Sequence, residues 1–274
     1  MIKKSIIIIG KNSFIGSHIY RSLKIKRKKI LSYEKFIKLN NKIISNYDFI
    51  CNCAVKKKYK EFGYVKKNDL DLKISKKIKN LNIKYIFLSS RKVYKAKYNS
   101  NEKDKTRPSD QYSRNKLITE NILMKILQEK LLILRISNVI GLKKNKNYRK
   151  INNTFFDNFL EYRINKKKVM YDNFFKDFIS IDQFIKMFSL CLKHNLKGIY
   201  NLSIGKKIYL SELINWLNFH SKKNNIFVSK KKNFSKIKKL SFTLNNNKLT
   251  KKIKFKPSKN NLKIYCIKLS KKKI

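Results

Sequence analysis

Apolar residues in this chain fall into short continuous runs separated by stretches of helical period. Ser5 to Ile9 is a β-branched run that ends at Gly10, and a helix-period segment extends from about Phe14 to Leu23. Such a pattern predicts a buried strand, a glycine turn and a helix. A second run at Ile30 to Ser32 precedes the helical pattern of residues 33–39, and a third begins at Asp48 with DFICNCAV. A helical stretch at Leu70 to Ile78 leads to a fourth strand at 84–90. The helix predicted from about Ser109 to Gln128 starts at a Ser-Asp cap and places Ile118, Ile122 and Ile126 on one stripe. LLILRI, 131–136, supplies a fifth strand. Because each strand is apolar throughout instead of at every second residue, the sheet is expected to be parallel, with helices on both faces. The fold class is therefore α/β, a doubly wound parallel sheet.

Beyond Gly141 the pattern loosens into Asn-rich and Lys-rich stretches, interrupted by short runs at 177–181 and 198–202 and by a helix around Leu210 to Phe219. The expected division is a main domain over 1–141, with 177–202 returning to it, and a smaller C-terminal lobe built from 142–176 and 203–274. With 69 Lys plus Arg against 16 Asp plus Glu, the chain carries a formal charge of +53. A nucleic-acid footprint would be a stripe on one face, whereas lysines here occupy every part of the sequence. They read as a solvated coat, and no specific nucleic-acid partner is expected. Cys51, Cys53, Cys191 and Cys266 are too few and too irregular for a disulfide framework, and they lack the partner pair a zinc site requires. The N-terminal SIIIIG run is too short for a signal sequence or a membrane span. The expectation is a cytoplasmic protein with no membrane insertion and no metal.

Gly10, Ser13 and Gly16 lie between the first strand and the first helix. Glycine there allows a tight turn, close approach of backbone N–H groups to a pyrophosphate, and packing of helix on strand. The turn residues Gly10, Asn12, Ser13, Phe14, Ile15 and Gly16 form a candidate cofactor cradle. Near the end of the second strand, where a carboxylate favours NAD and an arginine NADP, stand Ser32 and Tyr33. Glu34 is one candidate ribose ligand and a helix-start glutamate the other reading, so the choice of cofactor stays open. Tyr112 and Lys116 stand at i and i+4 on the predicted helix and project from one face. A tyrosine, with an ordinary pKa near ~10, works as a general acid or base at neutral pH only beside a cation. Ser90, at the end of the fourth strand, lies where strand ends line a cofactor crevice.

These segments resemble the extended short-chain dehydrogenases/reductases, the nucleotide-sugar epimerases, dehydratases and reductases of the NAD-dependent epimerase/dehydratase family. GKNSFIG is similar to their nucleotide-binding turn, with Ser13 in place of the middle glycine; this narrows the space for the pyrophosphate, although the hydroxyl could donate to it. FLSSRKVYK is similar to their strand ending in two serines before Val-Tyr. The resemblance implies a Rossmann-type fold and a catalytic set of Ser90, Tyr112 and Lys116. Tyr112 would exchange the proton on the substrate oxygen, Ser90 would hydrogen-bond that oxygen, and Lys116 would hold the nicotinamide ribose. It also implies that Asn52 and Ala54, in DFICNCAV, lie under an NAD or NADP cofactor. Asn138 would touch the sugar nucleotide, and Lys176 would replace an arginine that contacts its diphosphate, keeping the charge but losing the bidentate fork. Arg91 and Lys92 stand where the dehydratases carry an Asp-Glu pair, which disfavours dehydration. Hydride-transfer epimerisation or 4-keto reduction of a nucleotide sugar is the implied activity, and a homodimer is compatible with it. A noncatalytic NAD(P)-binding protein of the same fold, and a nucleic-acid module resting on charge alone, are the alternatives weighed.

Overall fold

The fold is that of a computed structural model, which describes residues 2–142, 156, 159, 161, 169–220, 227–229 and 240–271. Much of the expected lobe segment at 142–176, and parts of that at 203–274, lie outside the described residues. The chain order is β1 (Ile2–Ile9), α1 (Phe14–Ser22), β2 (Ile25–Leu31), α2 (Tyr33–Ile37), α3 (Asn41–Ser45), β3 (Phe49–Asn52), α4 (Lys57–Glu61), α5 (Leu70–Ile78) and β4 (Lys84–Ser90). There follow α6 (Gln111–Leu127), β5 (Leu131–Ile136), β6 (Asn138–Ile140), β7 (Val169–Tyr171), β8 (Phe175–Lys176), β9 (Phe178–Ser180) and α7 (Ile181–Lys193). β10 (Gly198–Leu202), β11 (Ile208–Tyr209), α8 (Leu210–Asn218), β12 (Phe227–Ser229), α9 (Asn247–Ile253) and α10 (Lys259–Ser270) complete it.

Six strands form one parallel sheet in the order β10-β5-β4-β3-β1-β2. Alternate residues of each strand enter opposite cores. Ile6, Ile8, Phe49, Cys51, Ile86, Leu132 and Leu134 pack with residues of α1, α7, α8 and α10. Ile7, Ile9, Ile50, Tyr85, Phe87 and Ile133 pack on the other face with residues of α2, α3, α5 and α6. Ile6 to Ile9 are all fully buried, and each such side chain stabilises the fold by roughly 1.5–3 kcal/mol. The doubly wound parallel sheet expected from continuous apolar runs is the observed one.

Three elements differ from the pattern reading. β2 begins at Ile25, well before the apolar run at Ile30, because an edge strand can leave Lys26, Arg27 and Lys29 turned towards solvent. Of residues 177–202, only β10 joins the main sheet; β9 pairs instead with β6. On α6 the stripe of Ile118, Ile122 and Ile126 is not the buried face, since Ile118 is exposed and the inward positions are Ser113, Lys116, Thr119, Glu120, Leu123 and Leu127. Polar residues turn inward there because partners meet them. Arg135 of β5 donates to both carboxylate oxygens of Glu120, with its closest contact at 2.6 Å, and to the Tyr94 hydroxyl at 2.8 Å. Tyr94 in turn donates to Asn201 of β10 at 3.0 Å, and the Ser89 hydroxyl donates to Glu120.

Removing one member of a buried ion pair leaves the other charge desolvated without compensation, at a cost of about 3–5 kcal/mol. Glu120→Gln should therefore lower the free energy of unfolding in urea by about that amount. Glu120→Leu combined with Arg135→Met should recover most of the loss, because no charge is left stranded.

Candidate functional site

The chain runs from β1 outward to β2 and then back across to β3, so connections leave β1 and β3 in opposite directions. A crevice opens at such a switch point, beyond the carboxyl ends of the strands. The register there is Ile9 beside Asn52 and Asn52 beside Phe87, which sets Gly10, Cys53 and Leu88 in one row along the sheet edge. With strands roughly 4.8 Å apart, Gly10 and Leu88 are about 10 Å from each other.

Gly10 occupies φ +112, and a Cβ there would stand 2.9 Å from the Ala54 nitrogen and 3.0 Å from the Cys53 carbonyl carbon. Both the dihedral and the abutting β3 loop demand glycine. At Gly16 a Cβ would collide with the Ser13 hydroxyl and come within 2.9 Å of the Gly10 oxygen. Ser13 itself has φ −80 and needs no glycine; its hydroxyl oxygen accepts the Gly16 N–H at 2.8 Å and caps α1. The substitution of the middle glycine is thus absorbed as a helix cap. The hydroxyl proton is still available as a donor, and the amino end of α1 keeps the N-terminal dipole that attracts phosphate. Residues Gly10 to Gly16 therefore fit a dinucleotide pyrophosphate. Asn12 is exposed in the turn, and Phe14 and Ile15 form the first helical turn. Glu34 is exposed at the start of α2, whose cap is the Ser32 hydroxyl accepting from Lys35.

Asn52 faces inward. Its oxygen accepts the Ala54 N–H at 2.9 Å, and its amide donates to the Ala54 oxygen at 3.1 Å and to Asp71 at 2.9 Å. It shapes the turn in which Ala54 meets Gly10. Tyr112 is in the first turn of α6, set by an Asp110 capping box in which Asp110 accepts the Ser113 N–H. Lys116 lies one turn deeper and is 3% exposed. Its ammonium donates to the Leu88 oxygen at 3.0 Å, stands 4.0 Å from the Asp71 carboxylate, and is 5.9 Å from the centroid of the Tyr112 ring. Burial works against that charge, but Tyr112 and then Asp71 outweigh it, so the lysine pKa is raised. Burial also raises the Asp71 carboxyl, against the opposing pull of Lys116 and donors from Tyr85 (2.5 Å) and Asn52. Ser90 ends β4, two residues beyond the carbonyl that holds Lys116, and its hydroxyl accepts the Lys92 N–H at 3.2 Å. Tyr112 and Lys116 are thus brought together, and Ser90 lies two residues along β4 from the carbonyl that Lys116 holds.

Two predicted substrate ligands lie on the C-terminal side. Asn138 donates to the Asp177 oxygen at 3.0 Å and so joins β6 to the segment before β9. Lys176 is half-buried on β8, its ammonium 4.5 Å from the Phe174 ring centroid. Burial, then Arg91, then Lys92 push its pKa down to about 8. Asp71, Glu120 and Arg135 were not singled out from the sequence. Arg135 carried a signal, since a cation inside an otherwise apolar strand requires a buried partner.

Asp71→Leu should destabilise the protein by about 3–5 kcal/mol, because Lys116 would be left as a buried ammonium without a counter-charge. Adding Lys116→Met should return much of that stability in urea unfolding, giving a double-mutant coupling above about 1 kcal/mol. Additive losses would show that the two charges do not interact.

A model of the NAD dependent epimerase/dehydratase family matches residues 6–203. Comparison with curated proteins gives no match. Among solved structures, UDP-N-acetylglucosamine 4-epimerase from Methanobrevibacter ruminantium M1, in complex with UDP-N-acetylmuramic acid, superposes with a TM-score of 0.80 at 22% identity, over 99% of this chain and 98% of that one. UDP-glucuronic acid 4-epimerase from Bacillus cereus, in complex with NAD, gives 0.74 at 15% identity over 97% and 94% of the two chains. UDP-glucose 4-epimerase from Bifidobacterium longum, in complex with NAD+ and UDP, gives 0.74 at 16% over 98% of each. At these identities the superpositions establish the shared fold. The family match spans the glycine turn, the strand end at Ser90, the α6 pair and the last strand of the sheet, and the chain belongs to the NAD dependent epimerase/dehydratase family.

Proposed function

We propose that this protein acts on a nucleotide-linked sugar, epimerising it or reducing its 4-keto form, with NAD or NADP seated at the glycine turn. The observation that carries the reading is the pairing of Tyr112 with a buried Lys116 whose ammonium is anchored to Leu88, in the same row of the sheet edge as Gly10. The nicotinamide, when bound, supplies hydride chemistry. Tyr112 gives or takes the proton at the substrate oxygen. Lys116 provides the nearby positive charge that a phenolate requires, and it stays protonated because Asp71 and Tyr112 favour the cation. Ser90 hydrogen-bonds the same substrate oxygen and orients it. Gly10 and the first turn of α1 hold the pyrophosphate, while Lys176 meets the substrate diphosphate. Water elimination is disfavoured, because Arg91 and Lys92 offer no carboxylate at the positions where the family's dehydratases use an Asp-Glu pair. The solved relatives named above include complexes with UDP-sugars and with NAD, which supports the same substrate class here.

Tyr112→Phe should reduce kcat by at least ~10²-fold, the scale of a lost general acid/base, while leaving NAD(P) affinity nearly intact. Assaying a panel of nucleotide sugars and their 4-keto forms, with NAD(P)H absorbance and product stereochemistry both followed, separates reductase from epimerase. Unaltered turnover in the Phe variant would remove Tyr112 from the chemistry. Lys176 adds a pH signature. Since its free-state pKa is near 8 and a diphosphate binds its charged form, affinity for the nucleotide diphosphate should fall as pH rises above about 8. Lys176→Arg should flatten that decline, because guanidinium keeps its proton through this range.

A further inference from the structure

Next to Ser90, the side chain of Arg91 has a role in neither the fold nor the steps above. Its guanidinium carbon lies 3.3 Å from the centroid of the Phe242 ring. Phe242 is buried, and its backbone N–H donates to the Phe175 oxygen, immediately before Lys176. The segment at Phe242 therefore links Arg91, at the strand end of the main sheet, to β8, the strand that ends in Lys176. Stacking engages only the face of a guanidinium, and its five N–H donors radiate in the plane. Among the described residues none of those donors makes a hydrogen bond or an ion pair. Neighbouring acids are already committed elsewhere. Asp110 pairs with Lys92 at 2.7 Å. Asp177 accepts the backbone N–H groups of Ile204, Gly205 and Leu244 at 3.0–3.2 Å. Burial pushes Arg91 down to about 10 against the pull of those two carboxylates, and Arg91 in turn lowers Lys176. Two half-buried cations thus stand close enough to oppose each other, Arg91 on the Phe242 ring and Lys176 on the Phe174 ring, and among the described residues neither has an ion-pair partner.

We propose that Arg91 is a carboxylate fork, and that the sugar of the substrate is acidic, bearing a carboxylate that Arg91 binds edge-on with Lys176 close by. The inference rests on the nucleotide-sugar reading and narrows it. A diphosphate alone does not account for Arg91, which directly follows the residue assigned to the reacting oxygen and so lies at the sugar end of the cleft. Sugar hydroxyls do not suffice either, since they bring no counter-charge to a desolvated guanidinium. A carboxylate offers two coplanar acceptors that match the fork, and such charge-assisted pairs are about twice as strong as neutral hydrogen bonds.

The test is isothermal titration of the NAD-loaded protein with UDP, UDP-glucose and UDP-glucuronate, which share the diphosphate and differ in the sugar. The expected result is UDP-glucuronate binding at least about tenfold more tightly than UDP-glucose, about 1.4 kcal/mol. Arg91→Met keeps an apolar side chain against Phe242 and should bring the two sugars to equal affinity, with Arg91→Lys falling between. Equal affinities in the unmodified protein overturn the proposal. So does an Arg91→Met variant that weakens all three ligands by the same factor, since Arg91 would then serve the diphosphate. Turnover of neutral nucleotide sugars without the carboxylate preference sinks this inference alone, whereas failure of these three ligands and of every nucleotide sugar in the panel above sinks the nucleotide-sugar reading with it.

Discussion

The buried ion pair between Glu120 and Arg135 sets the relation between α6 and the strand end at Ser90. Glu120 belongs to α6, the helix that carries Tyr112 and Lys116, and Arg135 to β5, the neighbour of the strand that ends in Ser90. Taking both charges out of water costs several kcal/mol per ion, and only good geometry and additional donors offset it. Here the guanidinium grips both carboxylate oxygens, and Ser89 and Tyr94 satisfy what remains. A packed hydrocarbon interface would hold α6 on the sheet as firmly, but it would tolerate sliding of the helix along the strand. The directional pair does not, so the distance from Tyr112 to the strand end is fixed by a few hydrogen bonds.

The same logic explains where the scarce acidic residues are used. Of the 16 acids in the chain, Asp69, Asp71, Glu120 and Asp177 are buried, each with named partners. Asp69 caps α5 and accepts the hydroxyls of Tyr64 and Thr119. Asp71 faces Lys116, and Asp177 ties the loop at 204–205 to Leu244. On the surface the exposed acids, such as Glu34, Glu61, Glu129 and Asp182, are far outnumbered by lysines, and the large net charge describes that coat. Inside, Asp71 and Glu120 face cations, whereas Asp69 and Asp177 are satisfied by hydroxyl and backbone N–H donors.

Much of this was legible in the sequence. Continuous apolar runs such as Ile6 to Ile9 can only be strands covered on both faces, and the strand at 84–90 and the helix at 70–78 have the expected bounds. Gly10 could be read as a tight turn because few residues tolerate its dihedral. What pattern alone could not reveal was the inward face of α6. Helical periodicity assigns the apolar stripe to the core, and there a polar network reversed it. Lys116 was legible as a neighbour of Tyr112, but not its counter-charge, since Asp71 is far away in sequence and reads as a helix-start acid. α10 has no clear stripe in KNNLKIYCIKLS, because its apolar residues are spread around the helix, with Ile264 exposed and Leu262, Cys266 and Leu269 buried by packing against α8.

β2 closes one side of the sheet, and its exposed positions are lysine and arginine. A second strand laid along that border would have to bring its own residues against a row of like cations on a backbone that otherwise invites pairing. That border is thereby closed to sheet continuation between molecules, which leaves β10 as the edge of the main sheet without such a row.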